Sequence, residues 1–346
     1  MKSFIHRLAV TVTCVVLAGT ACDRSTVPSR LSDRDFWTLV ENLSEPAGVF
    51  TLSDNLVSNE PRLSDRVRAL HHAGGGAYIG VGPEQNFSYI ARVQPSIAFI
   101  VDIRRENRNL HLLYKALFEV SSNRAEFVSR LFSRECATGP GAAVSVDDLF
   151  AHCADVRASR QFYAETTALV REHLAGRHGF PLEGGDLESI DRSLLAFLED
   201  GPDIHFWGKR QVDGAHPSYR LLMTEKDYGG VSRSYLAGDE AFLFIKALHD
   251  RNMIVPVVGD FGGPQAIRRI GTYLRAHGDT LRAFYGSNVG VYLTNEKRHE
   301  FCGSLMTLPV SSRAVYIENN GVRPFSARLK DCSPVQTVAW SSQLAE

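Results

Sequence analysis

The chain has 346 residues, with 38 Lys and Arg against 39 Asp and Glu, so its formal net charge is −1. A chain of this length can bury one large core or two smaller ones. The balanced charge, and the lack of a basic run with interleaved aromatic residues, exclude nucleic acid as a predicted partner.

The first 21 residues have the layout of a secretory signal peptide. Lys2 and Arg7 supply a basic start, residues 8–19 are mostly apolar, and small residues lead to Cys22. The apolar stretch is too short to anchor the chain stably in a bilayer. We therefore predict export to the periplasm or cell envelope.

The residues before Cys22 resemble a bacterial lipobox. Residues 17–22 read Leu-Ala-Gly-Thr-Ala-Cys, with Gly19 where Leu is usual. This pattern favours lipidation of Cys22, which would hold the protein at the membrane. The alternative is conventional signal cleavage and a soluble periplasmic protein. Residues 22–34, which are polar and contain Pro28, are predicted to be a tether.

Cysteine usage agrees with export. Once Cys14 and Cys22 are set aside, four cysteines remain, enough for two disulfides in an oxidising compartment. Four cysteines allow three pairings, and the alternative is four reduced, buried thiols in a cytosolic protein. Proximity in the sequence favours the pairs Cys136–Cys153 and Cys302–Cys332.

No metal site is predicted. The sequence has no close Cys pair and no Cys/His cluster with the spacing of a zinc site. His71 and His72 are adjacent, but neighbouring side chains need not face the same way, and no third ligand is evident.

Residues 35–72 are predicted to form an N-terminal helical extension. Residues 36–43 place their apolar side chains on one face of a helix. Residues 54–60 are polar and turn-prone, and we interpret them as a lid or substrate loop, with Asp54 and Asn55 as candidate pocket residues. The alternative is a helix-capping loop without a ligand.

A strand, a glycine turn, a helix and a second strand follow. Residues 77–79 form a short apolar strand, and Gly80 and Gly82 permit a tight turn that a ligand can approach closely. Residues 97–101 are continuously apolar, as in a strand buried on both faces. Asp102 ends that strand 20 residues after Gly82, a suitable distance for a carboxylate that binds ribose hydroxyls.

The glycine turn disfavours phosphate. Gln85 replaces the third glycine of a dinucleotide motif, Glu84 adds negative charge at the helix start, and no Walker lysine follows. A ligand without phosphate and with a positive centre, such as S-adenosylmethionine, fits better. The candidate cofactor contacts are Gly80, Gly82, Glu84 and Asp102.

Four segments carry a family resemblance. Residues 78–86 and 101–107 look like hallmark segments of a bacterial protein family, often predicted lipoproteins, with a class I methyltransferase-like fold. Residues 53–60 and 258–264 match as well. The resemblance covers about residues 34–320. It implies a Rossmann-like α/β fold, with a mostly parallel sheet, helices on both faces and a pocket for S-adenosylmethionine, but no particular reaction.

The chain departs from ordinary methyltransferases at one point. Their first strand usually carries an acid just before the glycine turn, and here Ala77 and Tyr78 occupy that place.

The Rossmann-like domain is predicted over residues 73–325, with a helical insertion at about 120–200 and a C-terminal tail at 326–346.

Further strands are predicted in the second half of the chain, at residues 219–223, 253–258, 281–285 and 289–293. Asp260 follows the second of these strands, at the position where open α/β sheets bind ligands. The alternative role for Asp260 is to cap the following helix. Tyr285 and Asn288 are predicted to line the same edge of the sheet.

Three classes of function remain open from the sequence. The first is an S-adenosylmethionine-dependent methyltransferase, which needs mainly alignment of its reactants. The second is an envelope-anchored binding or interaction protein that keeps the fold without methyl transfer, because S-adenosylmethionine is made in the cytoplasm and fold alone does not fix function. The third is a hydrolase that uses Asp54, Asp102 and Asp260, although no diagnostic spacing supports it.

Overall fold

The computed structural model describes residues 25–50, 55–70, 74–136, 144–206 and 216–332. The predicted signal peptide, Cys22, Asp54, His71 and His72 lie outside these ranges. The helices are α1 (Asp33–Leu43), α2 (Leu63–Ala69), α3 (Gln85–Val93), α4 (Arg105–Val120), α5 (Arg124–Leu131), α6 (Val146–Asp155), α7 (Arg160–Arg171), α8 (Gly184–Asp200), α9 (Tyr219–Thr224), α10 (Asp239–Asp250), α11 (Ala266–Ala276), α12 (Asn295–Met306) and α13 (Phe325–Asp331). The strands are β1 (Ala77–Gly80), β2 (Ile97–Asp102), β3 (Ile254–Val258), β4 (Leu281–Ser287), β5 (Val310–Glu318) and β6 (Gly321–Pro324).

One six-stranded sheet organises the described residues, in the order β3-β2-β1-β4-β5-β6. Strands β1 to β5 are parallel, and β6 pairs with β5 in the antiparallel sense. The chain moves outward from β1 to β3 and then returns to the other side of β1 for β4. Because parallel crossovers are right-handed, α3 and α4 lie on one face of the sheet and α11 and α12 on the other. The predicted α/β class, with a mostly parallel sheet, is therefore confirmed.

The interior strand β2 shows why the apolar run at 97–101 was informative. All six of its residues are buried. Phe99 pairs with Ile79 of β1 on one side and with Val255 of β3 on the other. A strand flanked by two partners and covered by helices on both faces has no solvent-facing side, so alternation of polar and apolar residues disappears.

The N-terminal helix α1 confirms the helix predicted at 36–43. The side chain of Ser32 accepts a hydrogen bond from the backbone N–H of Asp35 at 3.1 Å and so caps the helix. Phe36, Val40 and Leu43 are buried on one face, which packs against β3.

Two predicted strands are wrong. Residues 219–223 belong to helix α9, since Ser218 caps its start and Tyr219, Leu222 and Met223 are buried at helical spacing. Residues 289–293 contain a short 3-10 turn, Val289–Val291, without a buried residue. A run of five or six apolar residues does not decide between helix and strand by its period alone.

Both predicted disulfides are confirmed. Cys136 is bonded to Cys153 in α6, and Cys302 in α12 is bonded to Cys332 at the end of α13. The predicted helical character of residues 120–200 also agrees with α5 to α8. Disulfides are compatible with an oxidising, exported location. In the described part of the chain, no helix is long and apolar enough to cross a membrane.

We expect the Cys302–Cys332 bond to stabilise the last helix pair. It closes a loop of 30 residues, and the chain-entropy model gives such a bond about 3–4 kcal/mol. The double variant Cys302→Ser, Cys332→Ser should therefore lose about this much free energy of unfolding in urea titrations under oxidising conditions. Equal unfolding midpoints for the variant and the oxidised wild type would contradict the assignment, and thiol titration of the wild type provides the control.

Candidate functional site

A cavity of about 210 Å³ lies at the carboxyl edge of the parallel sheet. The segments that follow β1, β2, β3 and β4 all contribute to its walls. The cavity thus occupies the point where the strand order reverses between β1 and β4, the usual ligand position in open α/β sheets. Its lining from these segments includes Val81, Gly82, Pro83, Asp102, Ile103, Arg104, Gly259, Asp260, Phe261, Tyr285, Ser287, Asn288 and Val289.

Most of the predicted site residues in the described ranges meet at this cavity. Those that line it are Asn55, Gly82, Asp102, Asp260, Tyr285 and Asn288. Two predicted cofactor contacts, Gly80 and Glu84, do not line it. The loop before α2 also contributes Ser58 and Asn59, as expected for a segment that covers a pocket.

Gly80 packs against Asn86 and does not line the cavity. A Cβ at Gly80 would lie 1.9 Å from the side-chain oxygen of Asn86, so no larger residue fits. Gly82 differs, because a Cβ there would meet no atom within 4 Å, but its φ of +77° favours glycine. The two glycines of the turn therefore serve different purposes, and only Gly82 faces the cavity.

Asn86 holds the glycine turn in shape. Its side-chain N–H group lies 2.9 Å from the carbonyl oxygen of Val81, 3.2 Å from that of Gly82 and 2.7 Å from that of Pro83. Tyr78 donates its hydroxyl to the side-chain oxygen of Asn86 at 2.8 Å. The backbone of the turn is thus fixed by buried hydrogen bonds before any ligand arrives.

His111 supports the same turn from α4. Its Nε2 lies 2.9 Å from the carbonyl oxygen of Gly82. Burial lowers the pKa of His111 to about 4, so the imidazole is neutral at pH 7. Since a carbonyl oxygen only accepts, Nε2 carries the hydrogen and donates it.

Asp102 lines the cavity, and its carboxylate forms an ion pair with Arg104. The Nε and the backbone N–H of Arg104 each donate to Oδ1 of Asp102 at 3.0 Å, and Nη2 donates to Oδ2 at 3.1 Å. A carboxylate can accept about four hydrogen bonds, so these three leave one acceptor position on Oδ2. The sequence predicted the carboxylate but not the guanidinium that orients it.

Asp260 lines the cavity but does not cap the following helix, because α11 begins at Ala266 and its N-cap position is Gln265. Its Oδ1 accepts from the backbone N–H of Gly262 at 2.8 Å, which stabilises the turn after β3. Its Oδ2 lies 2.6 Å from Nζ of Lys297 in α12. Both carboxylates that the described residues place on the cavity wall are therefore paired with a cation. Neither Lys297 nor Arg104 was predicted as a site residue.

Aromatic side chains form much of the remaining wall. Phe50 and Tyr292 meet edge to face with ring centroids 5.1 Å apart. The Arg104 guanidinium lies 5.9 Å from the Phe50 centroid. Phe206 and Phe261 also line the space. These rings were missed by sequence reasoning because they come from four separate loops, none with a recognisable motif.

A second buried carboxyl supports the β4 side of the cavity. Glu60 accepts a hydrogen bond from the hydroxyl of Ser287, and its Oε2 lies 3.6 Å from the Arg66 guanidinium. Burial raises the pKa of Glu60, although the nearby Arg66 opposes that shift. Ser287 has a φ of +49°, an uncommon conformation for a serine, and faces the cavity.

Glu84 lies behind the turn, fully buried. Its two carboxyl oxygens accept long hydrogen bonds of 3.2 Å from the backbone N–H of Ser58. Burial raises its pKa to about 8, so the group is mostly protonated at pH 7. The prediction that Glu84 places a negative charge at the helix start is therefore wrong.

We expect Glu84 to make stability depend on pH. A carboxyl whose pKa is raised on folding favours the folded state most below its unfolded pKa of 4.5, and this contribution is lost as the pH rises towards 8. Glu84→Gln should therefore gain on the order of 3 kcal/mol over wild type between pH 5 and pH 7.5. Urea titrations at both pH values measure this difference, with exposed Glu106→Gln as the control. Parallel pH profiles for Glu84→Gln and wild type would show that the carboxyl is not kept neutral by burial.

Comparison with known proteins places the chain in a family but not in a reaction class. No curated protein matches it. A family model matches residues 55–176 and 212–342, which include every strand of the sheet and most of the cavity wall. The chain belongs to the family described as "Domain of unknown function (DUF7790)".

Proposed function

We propose that the cavity binds a nucleoside ligand of the S-adenosylmethionine type, in an exported protein held at the membrane by a lipid on Cys22. One observation carries the ligand proposal. Gly82 and Asp102, which come from the ends of β1 and β2, line one cavity at the reversal of strand order. In Rossmann-like folds that position receives a nucleoside, with the glycine turn against the ligand and the acid on the ribose.

The charge distribution favours a ligand without phosphate. Asp102 is paired with Arg104, and Asp260 with Lys297. A polyphosphate would have to draw each cation away from a carboxylate that already holds it, at a cost in electrostatic energy. A zwitterionic ligand has charges of both signs, so it can interact with each pair and leave it intact. S-adenosylmethionine carries a carboxylate, an ammonium and a sulfonium group, and no phosphate.

The residues that line the cavity are better suited to aligning two reactants than to acid–base catalysis. S-adenosylmethionine supplies an electrophilic methyl group when it is bound, and methyl transfer depends chiefly on the placement of a nucleophile opposite the sulfur. The remaining acceptor position of Asp102 is suited to a ribose hydroxyl. Tyr285 and Asn288, on the β4 side, are positioned to orient a second molecule.

A non-catalytic binding protein is the second candidate. The two disulfides favour it, because they fit an oxidising compartment, whereas S-adenosylmethionine is made in the cytoplasm. Ala77 and Tyr78 also replace the acid that methyltransferases usually carry before the glycine turn. In this alternative the cavity retains nucleoside recognition and serves an envelope-anchored interaction protein.

We expect Asp102→Asn to weaken nucleoside binding. The variant removes one charge-assisted hydrogen bond to the ribose, worth about 1.5–3 kcal/mol, so the Kd for S-adenosylhomocysteine should rise about tenfold or more. Isothermal titration calorimetry on the disulfide-intact chain measures this change, and circular dichroism checks the fold. Asp279→Asn is the control, because Asp279 lies before β4 at the opposite edge of the sheet.

The same titrations include S-adenosylmethionine, adenosine, ATP and NAD. Tighter binding of ATP than of S-adenosylhomocysteine would contradict the charge argument. No binding of any adenosine compound at millimolar concentration would end the nucleoside proposal. Binding of adenosine and S-adenosylhomocysteine but not of S-adenosylmethionine would favour the non-catalytic candidate.

We expect Cys22→Ser to abolish lipid attachment. A diacylglyceryl group is added to a cysteine thiol, and serine offers no thiolate for that bond. Labelling of cells with a tagged fatty acid should mark the wild type and the Cys14→Ser control but not Cys22→Ser, which should leave the membrane fraction. An unlabelled wild-type protein would contradict the lipoprotein prediction and leave conventional cleavage.

A further inference from the structure

We propose that Glu119, His173 and His178 form a binding site for Zn²⁺ on the side of the domain away from the cavity. Oε2 of Glu119 lies 2.5 Å from Nε2 of His173 and 2.6 Å from Nε2 of His178. One potential ligand atom from each residue falls within 4.8 Å of the other two. Two imidazole nitrogens and one carboxylate oxygen are a donor set that Zn²⁺ binds in proteins, with a water in the fourth position.

The distances require only small side-chain movements. Zinc–nitrogen and zinc–oxygen bonds of about 2.0–2.2 Å in a tetrahedron place ligand atoms about 3.4 Å apart. The two Glu119–histidine contacts must therefore open by about 1 Å, and the two histidines must close from a separation of 4.8 Å or less. Rotations about the side-chain bonds of three residues are sufficient for both changes.

A local irregularity of the backbone brings the two histidines together. Residues Glu172–Arg177 form a π-helical turn after α7, and the backbone N–H of His178 donates to the carbonyl oxygen of His173 at 3.1 Å. This five-residue spacing places both rings over the end of α4, where Glu119 lies. A π turn costs more than a regular helical turn and is often found at functional sites.

Groups around the cluster fix its orientation. Oδ1 of Asp33 lies 2.7 Å from Nδ1 of His178, the carboxylate–histidine arrangement that orients metal ligands. The ring of Phe180 stacks on His178 with centroids 4.8 Å apart. Lys115 donates to Oε1 of Glu119 at 2.5 Å, which leaves Oε2 as the oxygen directed at the histidines.

The cluster is shielded but reachable. The side chains of Glu119 and His173 are 6% and 5% exposed, and that of His178 is 10% exposed. An ion can therefore enter past His178 and then lie largely out of solvent. Such burial strengthens the attraction between a cation and a carboxylate.

The cluster is distant from the cavity. Helix α4 begins beside Arg104 at the carboxyl edge of the sheet, and Glu119 is its fifteenth residue, about 21 Å away at 1.5 Å per residue. Lys115, next to Glu119, binds Asn252 and the carbonyl oxygen of His249, both before the start of β3. The proposed zinc would therefore join α1, α4 and the π turn at the amino edge, independently of any nucleoside.

The test compares how much zinc the full mature chain retains as wild type and as a variant without the two histidines. Protein freed of metal with a chelator is loaded with ZnCl₂, passed through a desalting column and measured by elemental mass spectrometry. We expect about one zinc more per wild-type chain than in the double variant His173→Gln, His178→Gln. The control His152→Gln, an exposed histidine on α6, should retain as much zinc as wild type.

Two further measurements keep the proposal testable if the double variant folds poorly. Wild type loaded with Co²⁺ should show the strong visible absorption of a tetrahedral site. Asp33→Asn should raise the Kd for zinc about tenfold, because it weakens the orientation of His178. Wild type that retains no more zinc than the double variant, or Co²⁺-loaded wild type with only the weak spectrum of the aqueous ion, would overturn the proposal and leave a hydrogen-bonded ion-pair cluster.

Discussion

The glycine turn between β1 and α3 is the constraint on which the rest of the site depends. Asn86 binds the carbonyl groups of the turn, and its side-chain oxygen occupies the space that a Cβ at Gly80 would need. If this packing is lost, α3 no longer starts where it does, and Gly82 no longer faces the end of β2. The buried Asn86 amide thus fills the space beside Gly80, and Gly82 is the glycine of the turn that lines the cavity.

Paired charges are the second organising feature. Buried or half-buried ions are costly unless a partner holds them, and here Asp102, Asp260 and Glu119 each lie within 3.0 Å of a cation. Glu84 has no such partner, and its raised pKa is the result. The two acids that the described residues contribute to the cavity wall, Asp102 and Asp260, are therefore balanced by Arg104 and Lys297.

The sequence predicted those features whose cause is local. The apolar run of β2, the helix α1 and the two short disulfide loops each follow from a few neighbouring residues. Gly82, Asp102, Asp260, Tyr285 and Asn288 line one cavity, as expected because the carboxyl ends of parallel strands meet at one edge. The sequence could not show which glycine faces the cavity, because that depends on where the Asn86 side chain lies. It also could not show that Glu84 is buried against Ser58, 26 residues earlier in the chain.

The cluster of Glu119, His173 and His178 illustrates the same limit more strongly. A motif search looks for ligands at fixed spacing, but Glu119 comes from α4 and the histidines from a π turn more than 50 residues later. Only the packing of these elements joins them. The cluster lies at one end of α4 and the cavity at the other, so a metal bound at the proposed site would not contact a ligand in the cavity. The zinc proposal and the nucleoside proposal can therefore succeed or fail independently of each other.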